Sequence, residues 1–149
     1  MIIPIASDHA GYKAKTEVKK ILESMGYLTL DFGTHSEESV DYPDYAIQVA
    51  NAVSSGEYER GILVCGSGQG MCMTANKFNN VRAALVWNEE LAALSVQHNN
   101  SNVLCLPGRY LSTEDIQKIL ISWLEASFEG GRHQTRVDKI SSLTKPHID

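Results

Sequence analysis

The sequence predicts an α/β fold in which a parallel sheet of about five strands is covered by helices on both faces. Two observations carry this. Short apolar runs alternate with longer amphipathic segments along most of the chain. The runs are apolar throughout rather than at every second residue, as expected of strands buried on both faces. Helices between successive strands then make right-handed crossovers and leave the strands parallel.

Ile2–Ala6 reads as the first strand. Lys13–Met25 follows as a helix, with Ala14, Val18, Ile21, Leu22 and Met25 at helical spacing and Gly26 where a C-terminal cap belongs. Leu28–Phe32 is the second strand. The polar loop THSEESVDYP leads into a helix that begins near Pro43 or Asp44 and runs through Ala46, Val49, Ala50 and Val53, proline being suited to a first helical turn. Ile62–Cys65 is the third strand, followed by GSGQG and a helix over Met71–Lys77. Arg82–Trp87 reads as strand four, Glu89–Gln97 as a helix and Val103–Pro107 as strand five. Thr113–Ser127 is a helix with Thr113 as its N-cap. Gly130 and Gly131 break the chain before a last amphipathic helix over Gln134–Leu143.

A length of 149 residues suits one domain over 1–149 with a sizeable core, and no repeat, low-complexity tract or linker divides it. Thirteen Lys and Arg against eighteen Asp and Glu leave a net charge of −5, which excludes a general nucleic-acid binder because such a protein needs a basic face to displace counterions. Any anionic ligand must be held by a local basic cluster. Cysteines at 65, 72 and 105 form no C-x-x-C pair, so no metal site is expected and reduced thiols are. The start, MIIPIASDHAGYK, lacks the features of a signal peptide. No apolar run approaches the roughly 20 residues that span a bilayer. A soluble cytoplasmic protein with no membrane partner is the expectation.

In such sheets, ligands bind beyond the carboxyl ends of the strands. The sequence groups Ser7–Gly11, Cys65–Gly70 and, next to strand five, Gln97–Asn100 as the segments rich in reactive side chains. Gly66, Gly68 and Gly70 let backbone amides turn inward ahead of a helix, an arrangement for a phosphate or a developing oxyanion, or simply for a tight turn. Several motifs are absent. A dinucleotide fingerprint needs glycine and a cysteine phosphatase needs arginine at position 71, which is Met71, and no Gly-Lys-Ser/Thr marks a P-loop. Cys65 precedes the loop, where a helix N-terminus can lower a thiol pKa and supply thiolate near neutral pH. Cys72 and Cys105 read as packing residues. Asp8 and His9 point in different directions, and Asp8 either caps the next helix or serves a ligand. His98 falls at a helix C-terminus, beside Asn99. Arg132 and Arg136 lie four apart at the start of the last helix, placed against its dipole and suited to an anion, which reads as a phosphate clamp.

The runs SDHAGY, DYPDYA, CGSGQG, ANKF, QHNNSNVL and EGGRHQTRV together resemble the ribose-5-phosphate isomerase B family, with matching segments from residue 8 to residue 137. The resemblance implies a Rossmann-like three-layer sandwich with its C-terminal helix at a dimer interface. It also implies an aldose-ketose isomerase of the non-oxidative pentose phosphate pathway, interconverting ribose 5-phosphate and ribulose 5-phosphate through an enediolate, with neither metal nor cofactor. The partners it implies are a sugar phosphate and a second copy, in a homodimer with shared active sites or a tetramer of such dimers.

By the same resemblance, Cys65 is the base between C2 and C1, and His98, assisted by Asp8, opens the furanose ring. Ser67 and the amides of Gly66, Gly68, Gln69 and Gly70 hold the enediolate oxygens, and Tyr42 and Asn99 contact sugar hydroxyls. His9, Arg109, Arg132 and Arg136 bind phosphate. Some members use a glutamate where this chain has Met71, which leaves Cys65 as the base here. Two other readings stand beside this one: a six-carbon sugar-phosphate isomerase of the allose 6-phosphate type, and a sugar-phosphate binder without turnover.

Overall fold

A computed structural model describes residues 1–144. Strands β1 (Ile2–Ser7), β2 (Leu28–Asp31), β3 (Gly61–Cys65), β4 (Ala83–Leu85) and β5 (Val103–Pro107) form one wholly parallel sheet in the order β2-β1-β3-β5-β4. The helices are α1 (Tyr12–Ser24), α2 (Tyr42–Ser54), α3 (Gln69–Ala75), α4 (Glu89–Gln97), α5 (Thr113–Glu125) and α6 (Arg132–Leu143), with a short 3-10 turn at Gly108–Tyr110. The five parallel strands predicted from apolar runs are all present.

Alternate residues of the central strands face opposite layers. Ile3, Ile5, Ile62, Val64, Leu104 and Leu106 pack with Val18 and Leu22 of α1, Val96 of α4 and Ile119 and Trp123 of α5. Ala6, Leu63, Cys65, Val103 and Cys105 pack with Val49 and Val53 of α2 and Met71 and Ala75 of α3. Trp123 ties the first layer to the loop ahead of β5: its indole donates to Ser101 Oγ at 2.9 Å, and Arg60 stacks on its ring at 5.1 Å. Helix α6 buries only Val137 and leaves Ile140 and Leu143 exposed. No helix of the described residues is long and apolar enough to cross a membrane.

Several boundaries differ from the sequence prediction for local reasons. The cap of α5 is Ser112, not Thr113: its hydroxyl accepts from the Asp115 amide at 3.1 Å while the Asp115 carboxylate accepts from the Ser112 amide at 2.9 Å, a capping box. Helix α3 begins at Gln69, two residues before Met71, because Gly68 at φ +76 turns the chain there. Helix α6 likewise begins at Arg132, directly after Gly131 at φ +58. Strand β4 keeps three of the six predicted residues; ahead of it the Arg82 amide donates to Asn102 Oδ1 at 2.7 Å and its Nε to the Asn100 carbonyl at 2.7 Å.

From β1 the chain moves outward to β2, and from β3 it moves the other way to β4 and β5. The adjacent carboxyl ends of β1 and β3, in register at Ser7 and Val64, therefore flank the switch point where open α/β sheets form a crevice.

Candidate active site

Asp8 and Cys65 occupy this crevice. The Asp8 amide donates to the Val64 carbonyl at 3.3 Å, and its carboxylate accepts from the Gly11 amide at 2.9 Å, so the capping alternative is realised as a turn that leads into α1. Asp8 and Cys65 are both buried. His9 Nδ1 accepts from the Val40 amide at 3.1 Å, which pins the loop before α2 and leaves Nε2 for a ligand.

The glycine loop closes over the same crevice. A Cβ on Gly70 would lie 2.6–2.9 Å from the Tyr42 ring, so glycine there is what lets Tyr42 lie against the loop. A Cβ on Gly66 would meet Arg109 Cδ and Nη1 at 3.3 Å, and the Arg109 amide donates to the Gly66 carbonyl at 3.1 Å, which sets this guanidinium beside the loop. Ser67 and Gln69 are exposed at the rim, on either side of buried Gly68.

Burial raises the pKa of the Cys65 thiol. The amides of Met71, Gly68 and Gly70 pull it down, the Asp8 carboxylate pushes it up, and the net shift is upward. The expectation of a lowered thiol pKa is therefore corrected: the loop amides are in place, but desolvation in the core outweighs them.

His98 and Asn99 are not in the crevice. Helix α4 returns against the strand direction, so its C-terminus lies at the amino end of β5, where Asn102 joins the start of β3 through the Gly61 amide at 2.9 Å. Cys65 pairs with Pro107 at the far end of the same ladder, roughly 13 Å of strand away. Grouping residues 97–100 with the carboxyl-end segments is thus corrected for a single chain.

At the amino rim His98 has neighbours that sequence spacing did not reveal. Its ring stacks on His133 with centroids 4.4 Å apart and planes 10° from parallel. Glu129 Oε1 lies 3.7 Å from His98 Nε2 and 3.6 Å from His133 Nε2, and the Glu129 amide donates to the Gln97 carbonyl at 3.0 Å. Exposed Arg132 and Arg136, on the first turns of α6, belong to this same rim. Glu129 and His133 sit inside the run that carried the arginines, but 31 and 35 positions separate them from His98, and only the packing of α6 onto the end of α4 joins them.

The chain thus carries two groups of reactive residues on opposite rims of one sheet. Asp8, His9, Tyr42, Cys65–Gly70 and Arg109 form one; His98, Asn99, Arg132 and Arg136 form the other.

The profile of the Ribose/Galactose Isomerase family matches residues 3–140, and the chain belongs to that family. It is 44% identical to ribose-5-phosphate isomerase B of Escherichia coli over 141 residues, 95% of each chain. The solved structure of ribose-5-phosphate isomerase B from Clostridium thermocellum superposes with a TM-score of 0.94 at 48% identity, covering 96% of this chain and 97% of the other. That of the Mycoplasma genitalium enzyme with bound ribulose 5-phosphate superposes with a TM-score of 0.91 at 44% identity, covering 95% of each.

Proposed function

We propose that the chain interconverts D-ribose 5-phosphate and D-ribulose 5-phosphate through an enediolate, with Cys65 as the base. The observation that carries this reading is the position of Cys65 in the switch-point crevice, its sulfur facing the amides of Gly68, Gly70 and Met71. The relative solved with ribulose 5-phosphate supports the choice of substrate.

In the open-chain aldose the Cys65 thiolate takes the C2 proton. The C–H electron pair forms the C1–C2 double bond and the carbonyl electrons move to O1. The amides of Gly66 to Gly70 and the Ser67 hydroxyl stabilise the charge that develops on the oxygens. The Cys65 thiol then returns its proton to C1, while the O2–H proton passes to O1 and leaves the ketone at C2. A positioned base of this kind contributes roughly 10²–10⁴ in rate.

His98 opens the furanose ring, Asp8 assists, and Tyr42 and Asn99 hold sugar hydroxyls. His9, Arg109, Arg132 and Arg136 take the phosphate, whose binding energy orients the reacting carbons. These roles draw on both rims, so the pocket requires two copies of the chain: a homodimer in which the amino rim of one protomer meets the carboxyl rim of its partner. The exposed Ile140 and Leu143 of α6 supply apolar surface for that contact. Three free thiols suit a reducing cytoplasm.

The test is conversion of ribose 5-phosphate by the purified chain with chelator present, alongside allose 6-phosphate. Ribose 5-phosphate is preferred and Cys65→Ala loses turnover while still binding sugar phosphate. A preference for allose 6-phosphate overturns the substrate, and full turnover in Cys65→Ala overturns the base.

A further inference from the structure

The geometry points to a second function for the amino rim: His98, Glu129 and His133 form a binding site for a divalent transition metal ion of the zinc type. Glu129 Oε1 lies 3.7 and 3.6 Å from the Nε2 atoms of His98 and His133, and one ligand atom from each of the three falls within 4.8 Å of the others. With metal–ligand bonds of about 2.0–2.1 Å, the edge of a tetrahedral zinc site is about 3.3 Å, so the two spacings from Glu129 need only a small contraction. The two rings are stacked rather than splayed, so binding requires each to turn about its Cβ–Cγ bond until both nitrogens face one ion.

Three further features suit a cation here. His98 is the C-cap of α4, where the helix dipole places partial negative charge. Imidazole and carboxylate form the donor set that borderline divalent ions prefer, and three protein ligands leave a fourth position open to water or an exchangeable ligand. The ring of His133 is also held in place, largely covered and stacked on His98 beside Glu129. Arg132 and Arg136 oppose a cation, and Glu129 offsets one of these two charges.

The side chain of His133 is 12% exposed, whereas those of His98 and Glu129 are 43% and 51% exposed, so an ion enters from the solvent side. Once bound it occupies His98 Nε2. On the reading of His98 as the ring-opening group, the ion competes with catalysis and acts as an inhibitor of turnover, released by chelators.

The experiment uses two readouts on the full chain. In the first, metal-free protein is titrated with Co²⁺ and the visible d–d bands are recorded. One ion binds per chain with bands typical of nitrogen and oxygen ligands, and His133→Gln or Glu129→Gln weakens binding by about a hundredfold or more. No bands at millimolar Co²⁺, bands unchanged in both variants, or a thiolate-to-cobalt charge-transfer band that assigns the ion to a cysteine overturns the site. In the second, Zn²⁺ inhibits isomerisation by the wild-type chain and chelator restores it, while His133→Gln keeps its activity in chelator and loses the inhibition. Inhibition that persists in His133→Gln overturns the site as the point of action. The cobalt readout does not depend on turnover, so a chain that binds Co²⁺ but lacks isomerase activity refutes the proposed function and leaves the metal site standing.

Discussion

The Cys65 thiol, raised in pKa by burial, is raised further by the carboxylate of Asp8 in the turn after the neighbouring strand β1. The free chain therefore keeps Cys65 mostly protonated at neutral pH, and the thiolate fraction grows only as pH rises past the ordinary thiol range, near 8.5. Alkylation of Cys65 by iodoacetamide, followed by mass spectrometry of its peptide, has a midpoint above that value. Asp8→Asn removes the negative neighbour and moves the midpoint to lower pH. A wild-type midpoint below the free-thiol value contradicts the geometry.

Cys65 and His98 lie on opposite rims, so two inactive chains complement each other if the pocket is shared. Cys65→Ala and His98→Asn are each inactive alone. Mixed, unfolded and refolded together in equal amounts, they form heterodimers with one pocket carrying both lesions and one carrying neither, and activity returns to about a quarter of wild type. No recovery would mean that each pocket is built within one chain.

Gly11 is set by its neighbour rather than by its backbone angle. A Cβ there would lie 2.2 Å from the Val64 carbonyl oxygen, a backbone atom that pairs β3 with the turn after β1. Gly11→Ala destabilises by about 3 kcal/mol, the upper end for overpacking, and lowers the urea midpoint. Gly70→Ala meets only the movable Tyr42 ring, so its effect appears in KM more than in stability.

Lys15 is 1% exposed and pairs with Asp31 at 2.8 Å, with Lys19 adding a second contact at 3.1 Å. Burial alone would raise the Asp31 pKa, but Lys15, the Gly33 amide and Lys19 together hold it below its ordinary value. The stability it contributes is full above the unfolded carboxylate pKa, about 3.9, and is lost as pH falls through the lower folded value. Asp31→Asn strands the buried ammonium and costs about 3–5 kcal/mol at neutral pH. Chemical denaturation at pH 7 and pH 3 checks both parts: the loss for the variant is large at pH 7 and shrinks at pH 3.

Arg109, Arg132 and Arg136 anchor one phosphate in the proposed pocket. A hydrogen bond to a charged group is worth about 1.5–3 kcal/mol, so Arg136→Ala raises KM roughly tenfold to a hundredfold. Steady-state kinetics give the split, with kcat falling less than KM rises, and added salt weakening substrate binding in the wild type.

The central strands are readable because each is a short apolar run, and successive residues such as Ile62 and Leu63 are buried on opposite faces of the sheet. Boundaries were less so. Ser112 against Thr113, and Gln69 against Met71, were settled by hydrogen bonds and a positive φ that composition does not encode. At the site, motif residues were easy to pick out, but their placement required the direction of α4. His98 lies ahead of Val103, and a helix between parallel strands runs back against them, so the chain order itself puts His98 at the amino end of β5. The Cys65 pKa was misjudged for a different reason: the loop amides can be read from glycines, whereas the burial that outweighs them follows from packing against α2 and α3.

That direction of α4 has a consequence for the cell. Under the proposed pairing each rim holds half a pocket, a lone protomer is inert, and on dilution below the pairing constant turnover falls with the square of chain concentration. Under the proposed pairing, a copy disabled at both Cys65 and His98 still joins a normal partner and silences both pockets of the pair. Such a copy acts as a poison subunit, so one defective allele suppresses more activity than its share of the chains.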